Sequence, residues 1–131
     1  MTALDTNLLV RLVTADDARQ TELARQFLKS NRCWLAKTVL LELEWVLRFT
    51  YELGRERIAW AVRGFLSNRQ IELEDRPAVL RALRWYEAGL DFADALHLAS
   101  AGPATRFATF DRPLSKAASA LPEAPGTVLL R

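Results

Sequence analysis

A chain of 131 residues, half of them apolar and including four Trp and six Phe, is enough for one domain with one core. One cysteine and one histidine exclude an internal disulfide and a zinc site built from thiolates and imidazoles. The net charge of +2 is mild, but fifteen Arg stand against three Lys; the planar Arg fork suits phosphate, yet genomic composition or thermal adaptation explains the bias equally well.

The first stretch, Ala3-Leu4-Asp5-Thr6-Asn7-Leu8-Leu9-Val10, is an apolar run ending in a carboxylate, then a turn into a second apolar run. That reads as a strand, with Asp5 at its C-terminal edge, followed by a short helix through Leu8, Leu9 and Leu12. Asp16-Asp17 open a second helix through Leu23, Ala24, Phe27 and Leu28, which Ser30-Asn31 ends. Cys33-Trp34-Leu35-Ala36 is a short buried strand. Thr38 is placed to cap a helix from about Val39 to Phe49, whose apolar stripe centres on Leu43. Glu42 and Glu44 lie on opposite flanks of that stripe, and periodicity does not choose between them.

Gly54 reads as a helix terminator. A helix over about Arg55–Ser67 follows, then an alternating strand over Gln70–Glu74. Pro77 starts a helix that Gly89 closes. Phe92, Ala95, Leu96 and Ala99 keep the helical spacing, with Asp91 and Asp94 on one face at its first turn. Arg106–Phe110 is a strand ending at Asp111. Arg112-Pro113 starts a short helix, and Gly126–Leu130 is a closing strand. Five strands interleaved with seven helices imply an α/β domain: a mostly parallel sheet of about five strands, covered by helices on both faces in three α/β/α layers. The whole chain, 1–131, is read as one domain. No glycine-rich phosphate loop is present, which disfavours a nucleotide-cofactor enzyme. With no leader-like segment, long apolar span or lipidation signal, a cytoplasmic protein without membrane contact is expected.

The acids carry the chemistry. Asp5 and Asp111 end strands, Asp91 and Asp94 open a helix, and Glu42 or Glu44 flanks a stripe. In an open parallel sheet, strand C-termini and the following helix N-termini share one edge. Each acid alone is adequately explained as a helix cap, a dipole partner or a solvated surface group. Together they would repel unless a cation held them, and an oxygen-only set suits Mg²⁺ or Mn²⁺.

Four stretches in order, Ala3-Leu4-Asp5-Thr6-Asn7, the segment from Leu40 to Arg48, the segment from Asp91 to His97, and Ala108-Thr109-Phe110-Asp111, resemble PIN-domain ribonucleases. The similarity is specifically to the small VapC-type toxins of toxin–antitoxin pairs. The resemblance implies an acidic quartet of Asp5, Glu42, Asp94 and Asp111. It selects Glu42 over Glu44, and Asp94 over Asp91, which becomes a supporting acid or cap. Thr6 and Thr109 match small hydroxyl positions beside the site. His97 is expected to be a packed or surface residue rather than a ligand, since an imidazole suits Mg²⁺ poorly.

The implied activity is Mg²⁺-dependent endonucleolytic cleavage of RNA by water, with Mn²⁺ as a substitute, leaving a 3′-hydroxyl and a 5′-phosphate. The implied partners are RNA, a cognate antitoxin and a second copy in a homodimer. The expected antitoxin seat is a groove between the helices about Val39–Phe49 and Arg55–Ser67, with Trp45 and Trp60 as anchors. Three other readings compete: a PIN-fold nuclease of RNA processing or DNA repair without an antitoxin, a catalytically inactive PIN-like binding module, and an acidic-site phosphatase. The last usually shows Asp-x-Asp at its first strand, where this chain has Asn7.

Overall fold

Three short runs, Thr2–Ala3 (β1), Cys33–Leu35 (β2) and Ile71–Leu73 (β3), pair in parallel in the order β1-β2-β3. Parallel pairing requires a long crossover, and each gap holds two helices. Helices Thr6–Thr14 (α1) and Ala18–Ser30 (α2) join β1 to β2; Lys37–Phe49 (α3) and Arg55–Leu66 (α4) join β2 to β3. This is the computed structural model of the chain, and it describes all 131 residues.

These elements form one compact unit, Met1–Arg76. Its apolar stripes are buried as the helical spacing requires: Leu9 and Val10 on α1, Leu40, Leu43 and Leu47 on α3, Ile58 and Val62 on α4. Removing each such leucine from water contributes about 1.5–3 kcal/mol. Cys33 is buried, and burial pushes its thiol pKa up, away from nucleophilic use.

The second unit, Pro77–Arg131, carries the remaining elements. Helix Arg76–Glu87 (α5) has Pro77 in its first turn, and Gly89 closes it at φ +117°, a conformation open to glycine. Phe92–Ala99 (α6) follows. Strands Arg106–Thr109 (β4) and Gly126–Leu129 (β5) then pair in parallel around helix Arg112–Ser119 (α7). Tyr86 and Phe92 meet edge to face at 5.2 Å, and the Trp85 indole N–H donates to the Pro122 carbonyl at 3.2 Å. Within each sheet the pairing is parallel, and hydrogen bonds join the strands as three plus two.

Four local readings change. Strand β1 stops at Ala3, so Leu4 separates it from Asp5. Thr38 does not cap α3: the helix begins at Lys37, and Ala36 at its N-cap has no side chain to offer. The acceptor comes instead from the far end of β3, where Glu74 Oε1 takes the Lys37 backbone N–H at 2.9 Å. Its negative charge also favours the positive end of the helix. Gly54 does not terminate α3, which ends at Phe49; Gly54 is the N-cap of α4, and Glu52 takes the left-handed conformation at φ 54°. Strand β4 stops at Thr109, leaving Phe110 in a bend outside the sheet.

Candidate active site

In the first unit, Asp5 follows β1 and Glu42 lies on α3, the helix that follows the neighbouring strand β2. Asp5 is the N-cap of α1 and accepts the Thr6 N–H at 2.8 Å through Oδ1, with its carboxylate exposed. Thr6 beside it is only 3 % exposed, and its hydroxyl oxygen is buried without a hydrogen-bond partner. Buried hydroxyls are rarely left so, and this one sits next in sequence to the Asp5 carboxylate.

Glu42 lies on the second turn of α3, exposed to solvent. Glu44 does not share that setting. It is 2 % exposed, and Arg48 one turn on clasps it through two bonds, Nε–Oε2 at 2.8 Å and Nη2–Oε1 at 3.2 Å. The two glutamates that periodicity left equivalent are therefore unlike: one is open, the other is spent on an ion pair.

The second unit gathers three aspartates. Asp91 is the N-cap of α6 and accepts the Asp94 N–H at 3.2 Å. Asp111 is the N-cap of α7 and accepts the Leu114 N–H at 2.9 Å. Asp94, half-buried in the first turn of α6, feels both. Burial raises its pKa above the ordinary carboxylate value, repulsion from Asp91 and Asp111 raises it further, and His97 one turn on partly offsets this. Thr109 is in direct contact: its hydroxyl oxygen accepts the Asp111 backbone N–H at 2.9 Å.

Within either unit, no three Asp, Glu, His or Cys side chains are assembled in the geometry of a metal site. The donor chemistry nonetheless fits a hard divalent cation. The acids are oxygen ligands, Asp94 is held among carboxylates that repel it, and a positive ion would remove that penalty.

A family model for the PIN domain matches residues 2–120, across both units. The chain belongs to the PIN domain family. No curated protein and no solved structure is significantly similar to it. PIN domains are generally nucleases, use divalent metals and bind RNA, so membership supports nuclease activity. Seven helices and parallel sheets agree with the three-layer α/β/α class of a PIN-like fold. No helix is long and apolar enough to cross a membrane.

Two features of this PIN domain were not anticipated from its sequence. Glu74 caps α3 from 37 residues away, which no local pattern signals. A cavity of about 620 Å³ opens in the first unit, floored by Leu12, Leu28 and Phe65 and rimmed by Trp60, Arg57 and Arg63. It belongs to α1, α2 and α4. Of the two tryptophans read as anchors, Trp60 lines this cavity and Trp45 does not, and both are exposed.

Proposed function

We propose that this PIN domain is a Mg²⁺-dependent endoribonuclease, acting in the cytoplasm as the toxin of a type II toxin–antitoxin pair. The observation that carries the nuclease reading is the match of the PIN domain model to residues 2–120. Asp94, disfavoured as an anion first by burial and then by Asp91 and Asp111, supports a cation among these acids. Residues 1–131 are read as a single PIN domain, since one family model runs through both units.

Asp5, Asp94 and Asp111 are the residues that would hold Mg²⁺ or Mn²⁺, with Glu42 ligating or orienting the attacking water. The cation supplies activation of that water and charge neutralisation at the phosphate. Asp5 and Asp111 each spend one oxygen on a helix N-terminus, which fixes the direction of the other. Thr109 holds the Asp111 backbone, Asp91 fixes the first turn that carries Asp94, and Thr6 offers a hydroxyl beside Asp5. Cleavage would leave a 3′-hydroxyl and a 5′-phosphate.

The toxin reading rests on the resemblance of the four stretches and on the cavity beside Trp60. An apolar floor with two Arg at its rim suits an amphipathic segment with acidic residues, the chemistry expected of an antitoxin tail. A homodimer is proposed on the same resemblance.

The test is RNA cleavage by the purified chain with Mg²⁺, with EDTA, and as Asp94→Asn. Cleavage that persists in EDTA or in the Asn variant removes the site assignment. Induced expression without a partner should slow growth of the host; an indifferent host with an active enzyme favours the processing-nuclease reading.

A further inference from the structure

Phe110 is 78 % exposed, among the most exposed large apolar side chains in the protein, and it stands between Thr109 and Asp111. The backbone on either side of it is held by hydrogen bonds. On one side, the Thr109 carbonyl accepts the Leu130 N–H at 2.8 Å. On the other, the Asp111 N–H is taken by the Thr109 hydroxyl at 2.9 Å, the Asp111 carboxylate caps α7 through the Leu114 N–H at 2.9 Å, and the Asp111 carbonyl accepts the Ser115 N–H at 3.0 Å. Four hydrogen bonds thus hold the residues flanking a ring that itself lies in solvent.

Single exposed apolar residues are ordinary on protein surfaces. This one differs by address and by support. It is covalently one residue from a proposed cation ligand, Asp111, which is also exposed. The next residue, Arg112, is exposed and brings positive charge beside it. An exposed aromatic face on a fixed stretch of backbone, followed by a guanidinium, matches an unpaired nucleotide, which offers a flat base and an anionic phosphate. A duplex offers neither free face, since its bases are stacked on each other.

The geometry points to Phe110 as a base-stacking residue that holds an unpaired nucleotide next to the scissile phosphate. This rests on the nuclease reading above and adds a positioning residue to it. Phe110 binds and positions; it takes no part in the bond changes.

The test measures binding of a fluorescein-labelled single-stranded RNA, and of the same strand annealed to its complement, by anisotropy in EDTA so that no cleavage occurs. The proteins are the native chain, Phe110→Ala, Phe110→Leu and Phe110→Trp, each with its melting temperature recorded. Stacking predicts that Ala and Leu weaken single-strand binding about five- to a hundredfold, that Trp stays within about twofold, and that duplex binding changes little. With Mg²⁺ restored, the Ala variant should show the loss in KM rather than in kcat. Native-like binding by Phe110→Leu, or equal loss on both RNAs, overturns the proposal, because it assigns the side chain to bulk apolar contact or to folding. A native chain that cleaves RNA while Phe110→Ala binds it unchanged overturns this inference alone. A native chain that neither binds nor cleaves RNA overturns the nuclease reading with it. Unchanged RNA binding with loss of a co-purifying protein reassigns the ring to a protein contact and likewise overturns the proposal.

Discussion

The Thr109 hydroxyl oxygen accepts the backbone N–H of Asp111 at 2.9 Å, so a side chain at the end of β4 fixes where the next helix begins. Asp111 then uses its own carboxylate to cap that helix. The pair forms a short relay from strand to helix that sets the direction of one proposed ligand.

Replacing Thr109 therefore separates position from chemistry. Thr109→Val removes the acceptor and should lower RNA cleavage about 10- to 100-fold, the usual size for a group supporting a ligand. Thr109→Ser should restore most of it. Steady-state cleavage against Mg²⁺ concentration checks this, and a native Mg²⁺ requirement in the Val variant would show that Asp111 does not depend on the relay.

The two glutamates of α3 should fail in different ways. Glu42→Gln is expected to abolish most cleavage while leaving the melting temperature unchanged, since Glu42 is exposed. Glu44→Gln removes the negative charge from the Glu44–Arg48 pair, and the Arg48 side chain is 40 % exposed. Water limits the loss to roughly 1–3 kcal/mol of stability, and activity per folded molecule should survive. Thermal melts beside cleavage assays decide; the reverse ranking would move the catalytic role to Glu44.

Asp94 makes stability depend on pH in a defined direction. Its folded pKa is raised by burial first, then by Asp91 and Asp111. The folded state therefore binds the proton more tightly than the unfolded chain. That contribution is fully present below the ordinary Asp value of about 4 and is lost as pH rises through the raised folded value. At neutral pH in EDTA, Asp94→Asn should melt higher than the native chain, with the gap closing as pH falls toward that value. Mg²⁺ should raise the melting temperature of the native chain more than that of the variant. An Asn variant that melts lower at neutral pH would contradict the assignment of Asp94 as a repelled carboxylate.

The Glu74 cap is separable from local sequence. Glu74→Ala should cost about 0.5–2 kcal/mol, the size of a lost N-cap. That is a shift of a few degrees in a chain of this length. Thr38→Ala should be near silent because Thr38 is exposed and does not cap. Paired melting curves test both, and a larger loss at Thr38 would restore it as the cap.

What the sequence made legible follows from range. Asp91 and Asp94 could be placed on the first turn of a helix because their partners lie within that turn. Asp17 and Asp111 could be read as helix openers for the same reason. Glu42 and Glu44 could not be told apart, since each sits about 100° from Leu43 and the stripe has two edges. The Glu44–Arg48 spacing of four was a usable local signal that the apolar pattern masked. The Glu74 cap of α3 was beyond reach because it depends on β2 and β3 lying side by side. The same holds for the cavity beside Trp60, whose walls come from three helices that no periodicity brings together. Glu52 at φ 54° took the turn that Gly54 was expected to make, because Gly54 serves as the extended N-cap of α4.

Asp5, Asp91 and Asp111 each begin a helix, and Asn begins a helix as well as Asp does. The two residues differ by a single base in their codons. A chain of this design can therefore lose its charge in one mutational step while its folding is left intact. Under the proposed ligand roles of Asp5 and Asp111, an Asn copy at either position would fold as the native chain does while losing its hold on the cation, so activity and folding are separable at these two helix starts.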